Sequence, residues 1–150
     1  MGYSLANADW TRAMLTVQGH STSNPNSIAQ AAAVEAFKGP QDSVAAMLEE
    51  YGRRREWLMR ALDEIPGFRC IMPEGAFYAF PQIAGLTDST SFALDLVREG
   101  GVAMAPGVAF GPSGEGHIRF CFAAREETLA QGLSRFREFV VRSMAGRMPG

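Results

Sequence analysis

One short segment concentrates the chemistry of this chain. In Ile118-Arg119-Phe120-Cys121-Phe122 the residues suit a strand, where alternate side chains point to opposite faces. Ile118, Phe120 and Phe122 then share the core face, and Arg119 and Cys121 share the other. An arginine centred in so apolar a strand is costly unless its charge is matched. Two readings follow. One is an internal salt bridge to one of the 16 acidic residues. The other is a fork that grips a carboxylate or phosphate ligand through two parallel hydrogen bonds. Just upstream, residues 106–116 hold four glycines and two prolines. Glycine lets backbone approach closely or turn with positive φ, but no Gly-Lys-Ser/Thr follows and the spacing Gly111-x-x-Gly114-x-Gly116 is not the dinucleotide fingerprint. A connection between two strands is the favoured reading.

Other chemistries find little support. His20 and His117 have no Gly-x-Ser-x-Gly nearby, and nothing prepares a nucleophile. The paired acids Glu49-Glu50 and Glu126-Glu127 fall on helical stretches and read as solvated, as does the charged face Arg53, Arg54, Arg55 and Glu56. Of the 14 basic residues one, Lys38, is lysine, which limits any chemistry that needs an amine. The two cysteines, Cys70 and Cys121, lie far apart and form no metal or redox spacing. Both sit in apolar runs and are expected to be buried, reduced thiols of a cytoplasmic protein. No metal site is expected. A formal charge of −2 argues against a general nucleic-acid binder. No apolar run approaches the roughly 18 residues of a membrane span, and the first residues lack the pattern of a signal peptide.

The elements that must position Arg119 follow from periodicity. Residues 8–20 and 28–37 read as helices, separated by a Ser/Thr/Asn-rich turn that favours caps. Gly39-Pro40 stops the second. Val44, Met47, Leu48, Tyr51, Leu58 and Leu62 recur at three- and four-residue steps, giving a helix of about six turns from Asp42 or Ser43 to Pro66-Gly67. The period then shortens: Phe68–Ile71, Ala76–Phe80, Val102–Ala105 and Ile118–Phe122 read as strands. A helix from Ser89 or Ser91 to Glu99 lies between them, and Glu126–Arg142 is a closing helix with Leu129, Leu133, Phe136 and Val140 on one stripe. The fold class is α+β, a small antiparallel-rich sheet with helices on one face. The first 40 residues have no strand to lie on, beyond a possible Gly2–Ala6.

Several segments occur together in order: Gly2-Tyr3, Gln18 to Pro25, Ser27-Ile28-Ala29-Gln30, Arg53-Arg54-Arg55, Pro73 to Tyr78, Val102 to Gly107, Phe110-Gly111 and Ile118-Arg119. The series resembles the C-terminal part of class I/II pyridoxal-phosphate aminotransferases of the bacterial aspartate aminotransferase type, across essentially the whole chain. The resemblance implies that residues 1–40 are the end of a large cofactor-binding domain and that 41–150 are a linking helix and small domain. It implies that Arg119 binds the α-carboxylate of an amino-acid or 2-oxo-acid substrate. It implies that Ser23 approaches the phosphate of pyridoxal 5'-phosphate in the neighbouring subunit of a homodimer. The family's Schiff-base lysine, and its residues around the cofactor ring, match no position here. The 150-residue chain alone is therefore expected to be inactive and to hold no cofactor. The alternative is a stand-alone α+β module that binds a carboxylate or a partner through the Arg119 face.

Overall fold

The computed structural model describes residues 2–145. The chain divides into two compact units, residues 1–45 and 46–150. The first holds α1, Ala8–Ser21, and α2, Ser27–Lys38. Each is started by an asparagine: Asn7 accepts the Trp10 N–H at 3.0 Å, and Asn26 accepts the Ala29 N–H at 2.7 Å. Such caps satisfy amide groups that the first turn leaves without partners. Tyr3 packs edge-on against Phe37, with ring centroids 5.2 Å apart. Neither helix buries a residue fully, and Trp10, Ile28 and Phe37 are exposed. Gly2–Ala6 is not a strand.

A third helix, α3, Asp42–Asp63, crosses the boundary. In the second unit the chain order is the C-terminal part of α3, β1 Phe68–Arg69, β2 Tyr78–Ala79, β3 Gln82–Ile83, α4 Ser89–Asp95, β4 Ala105–Pro106, β5 Ile118–Cys121 and α5 Glu126–Ala145. β1 and β3 form one antiparallel pair. β2, β5 and β4 form a three-stranded antiparallel sheet with β5 in the middle. The architecture is α+β, as the periodicity implied. The strands are shorter than their apolar runs because pairing, not propensity, ends them: Ala76 has φ of 58°, outside any strand. β3 was not legible in the sequence. It exists because Ile83 pairs with Phe68 and Gln82 bridges to His117. Beyond Asp95 the helix widens into a π-helical turn, Leu96–Gly100, which Gly101 ends with φ of 66°.

The core sits where β5 meets two helices. Ile118, Phe120 and Phe122 are all buried, so the alternation holds. Phe120 and Phe68 both pack edge-on against Phe136 of α5, at 4.9 and 5.4 Å between centroids, and Tyr51 of α3 reaches Phe122. Leu58, Leu62, Leu133 and Val140 close the cluster. Each such side chain contributes about 1.5–3 kcal/mol on burial, and aromatic edge contacts add to that. This packing fixes β5 in rotation, so the side chains between the core residues must face the other way.

Two expectations are corrected. Cys121 is exposed and Cys70 only half-buried, because position 121 shares the face of Arg119 rather than the core face. The arginine run on α3 is not simply solvated: Arg53 and Arg54 both pair with Glu50, and the half-buried Arg55 donates to the Pro73 carbonyl at 3.2 Å. That contact ties α3 to the loop after β1.

Candidate functional site

Arg119 stands on the central strand, directly across from Ala105 of β4. A methyl group opposite leaves space above the sheet. On the other side Tyr78 pairs with Cys121, which makes it a diagonal neighbour of Arg119 on the same face. The Arg119 guanidinium carbon lies 4.3 Å from the Tyr78 ring centroid and 4.7 Å from that of Phe110. The half-buried cation is thus held between two rings. None of the ion pairs among the described residues includes it. Stacking satisfies the face of a guanidinium and holds its plane, but leaves its N–H edge to find acceptors. A planar fork in that state suits a carboxylate, which can take two parallel hydrogen bonds.

The rings continue along the face. Phe80 meets Phe110 edge-on at 5.7 Å and lies flat against His117 at 5.0 Å. His117 Nδ1 lies 3.1 Å from the Glu115 carbonyl oxygen. Phe110 comes from a turn of 3-10 helix, Gly107–Phe110, followed by a second, Pro112–Gly114. The glycines here are required by close approach. A Cβ on Gly107 would meet the Gly114 carbonyl oxygen at 2.0 Å, and one on Gly114 would meet that of Gly107 at 2.1 Å. The Gly107 N–H also donates to the His117 carbonyl at 2.8 Å, closing the loop at the edge of β5.

Sequence reasoning singled out Arg119 but missed its two flanking rings. Tyr78 and Phe110 stood in segments noted only for their order. Parity along one strand cannot say which residues of another strand or loop share its face. Ser23 lies in the exposed turn between α1 and α2, with φ of 61°. A non-glycine residue in that region carries strain. Lys38 is the exposed last residue of α2. Among the described residues no three His, Cys, Asp or Glu side chains gather to hold a metal ion, and no helix is long and apolar enough to cross a membrane.

Comparison with known proteins joins these features. The family model for aminotransferase class I and II matches residues 1–136. The chain is 41% identical to the aspartate/prephenate aminotransferase of Cereibacter sphaeroides over 150 residues, covering 93% of this chain and 37% of that protein. It is 39% identical over 146 residues to the aspartate aminotransferase of Bacillus subtilis, with the same two coverages. Among solved structures, the aspartate aminotransferase of Rhizobium meliloti superposes with a TM-score of 0.76 and 36% identity, over 87% of this chain and 35% of that one. The alanine aminotransferase of Pyrococcus furiosus gives 0.80 and 31%, over 89% and 35%. The chain belongs to the class I and II aminotransferase family. It spans about 37% of the length of the curated relatives it matches.

The family implies pyridoxal phosphate in the full-length enzyme. The described residues do not by themselves fit that cofactor. The cofactor chemistry needs an amine that forms an imine and moves a proton, and the one amine side chain, on Lys38, is exposed at a helix end.

Proposed function

We propose that this chain supplies the carboxylate-binding half of an aminotransferase active site, in a protein that moves an amino group between an amino acid, of aspartate-like or other type, and a 2-oxo acid. One observation carries the reading: Arg119 is sandwiched between Tyr78 and Phe110 with no carboxylate partner among the described residues. Its role is to bind and orient the α-carboxylate common to both substrates. In this reading residues 41–150 are the linking helix and small domain, and residues 1–40 are the end of the large domain. Ser23 lies toward the cofactor phosphate of the neighbouring subunit in a homodimer, and the two unpaired cysteines suit the cytoplasm,.

The test is amino-group transfer by the protein that carries this chain, followed with pyridoxal phosphate, an amino acid and a 2-oxo acid. Turnover that saturates in both substrates supports the reading, and a purified protein loaded with cofactor but without turnover refutes it. The 150-residue chain alone is inactive in this account. Borohydride reduction after incubation with pyridoxal phosphate then leaves no stoichiometric pyridoxyl group on Lys38. A stoichiometric adduct there, with turnover, contradicts it.

A further inference from the structure

What holds Phe110 over Arg119 is the remaining question. Phe110 ends a single short turn and is itself half exposed. The Gly107–Gly114 contact closes the base of this loop but does not fix where its tip lies. A second set of contacts does. Glu115 Oε1 accepts the Ser89 N–H at 2.7 Å and the Gly116 N–H at 2.9 Å. The Ser89 hydroxyl, wholly buried, accepts the Val108 N–H at 3.2 Å. A continuous chain of donors therefore runs from Val108, two residues before Phe110, through Ser89 to Glu115.

This arrangement exceeds what capping α4 requires. Asp88 already does that, accepting the Ser91 N–H at 2.9 Å and the Ser91 hydroxyl at 2.6 Å. Glu115 belongs to none of the ion pairs among the described residues. Its carboxylate accepts the N–H groups of Ser89, which starts α4 and holds Val108 of the aromatic turn, and of Gly116, at the entry to β5. We propose that Glu115 is a positioning residue for the carboxylate site: acting through Ser89 and Val108, it fixes the turn that lays Phe110 on the Arg119 guanidinium. The proposal rests on the assignment of Arg119 to the substrate carboxylate.

The experiment is a set of variants of the protein that carries this chain, assayed for kcat and KM with folding checked by melting. Glu115→Ala removes the acceptor. It should lower kcat/KM roughly ten-fold, the scale of one cation–π contact, with the larger part in KM. Glu115→Gln keeps an oxygen at the same place and should restore kcat/KM to within about three-fold, since an amide oxygen accepts the same N–H groups. Phe110→Ala should cost about as much as Glu115→Ala. The double variant should be little worse than Phe110→Ala alone, because both changes break one linkage. Multiplying losses, an unchanged kcat/KM in Glu115→Ala, or no rescue by glutamine overturns the positioning role. Arg119→Lys in the same series separates the two levels. If it lowers kcat/KM while Glu115→Ala does not, only the positioning role fails. If it leaves kcat/KM intact, the site assignment fails and the positioning role with it.

Discussion

Replacing Arg119 with lysine separates a ligand-gripping arginine from a structural one. Lysine keeps the charge but loses the fork and most of the stacking. The lost second hydrogen bond to a carboxylate is worth about 2 kcal/mol, as charge-assisted bonds are. Weaker stacking on Tyr78 and Phe110, now at 4.3 and 4.7 Å, costs roughly 1 kcal/mol more. Together these predict a fall in kcat/KM of at least ~100-fold, at a factor of ten per about 1.4 kcal/mol. Stability should change little, because no buried carboxylate among the described residues is left unpaired by the change. The stacking loss alone corresponds to a fall in Tm of roughly 2–4 °C. The assay is steady-state kinetics of the protein that carries this chain, beside thermal melting. A large fall in Tm with kcat/KM within a few-fold would refute the reasoning, because that pattern belongs to an internal salt bridge.

Four further outcomes follow from the same structure. Gly107→Ala places a methyl 2.0 Å from the Gly114 oxygen and 2.5 Å from that of His117, so it should cost more than ~3 kcal/mol in urea unfolding. Gly75→Ala, with nothing within 4 Å of the new methyl, should stay within about 0.5 kcal/mol. Phe136→Ala, at a wholly buried ring between Phe68 and Phe120, should destabilise by about 3–5 kcal/mol in the same experiment. Acid should weaken the fold near α4. The Ser91 hydroxyl and N–H hold the Asp88 carboxyl below its ordinary range, and the Gly116 N–H with the Ser89 groups does the same for Glu115. A lowered folded-state pKa gives stability that is present above the ordinary carboxylate range, near pH 4, and is lost as pH falls through the folded value. Melting from pH 6 to pH 2 should show Asp88→Asn/Glu115→Gln losing less stability than the parent; equal slopes contradict this.

The helices and the parity of β5 were legible because both are local. A three-and-four-residue repeat marks α3 and α5, and alternation along Ile118–Phe122 places Arg119 away from the core with no other information. The same parity already put Cys121 on the Arg119 face; the expectation that it was buried followed the apolar run instead. The short strands were less legible, since β3 is held by Phe68 and His117 rather than by its own residues. The aromatic clamp was invisible for the same reason. Tyr78 reaches Arg119 through strand register and Phe110 through a loop whose shape depends on two glycines in contact, and neither relation is local in the chain. Likewise, Arg55 left the solvated face of α3 only because the loop at Pro73 folds back to meet it.

The central claim is that Arg119 takes the substrate α-carboxylate. Its most direct test is a structure of the protein that carries this chain with an unreactive carboxylate analogue of an amino-acid substrate. The account predicts both guanidinium nitrogens of the fork at about 2.7–2.9 Å from the two carboxylate oxygens, with Tyr78 and Phe110 still stacked on either side. An analogue bound elsewhere, or Arg119 turned to an aspartate or glutamate of its own protein, would contradict it.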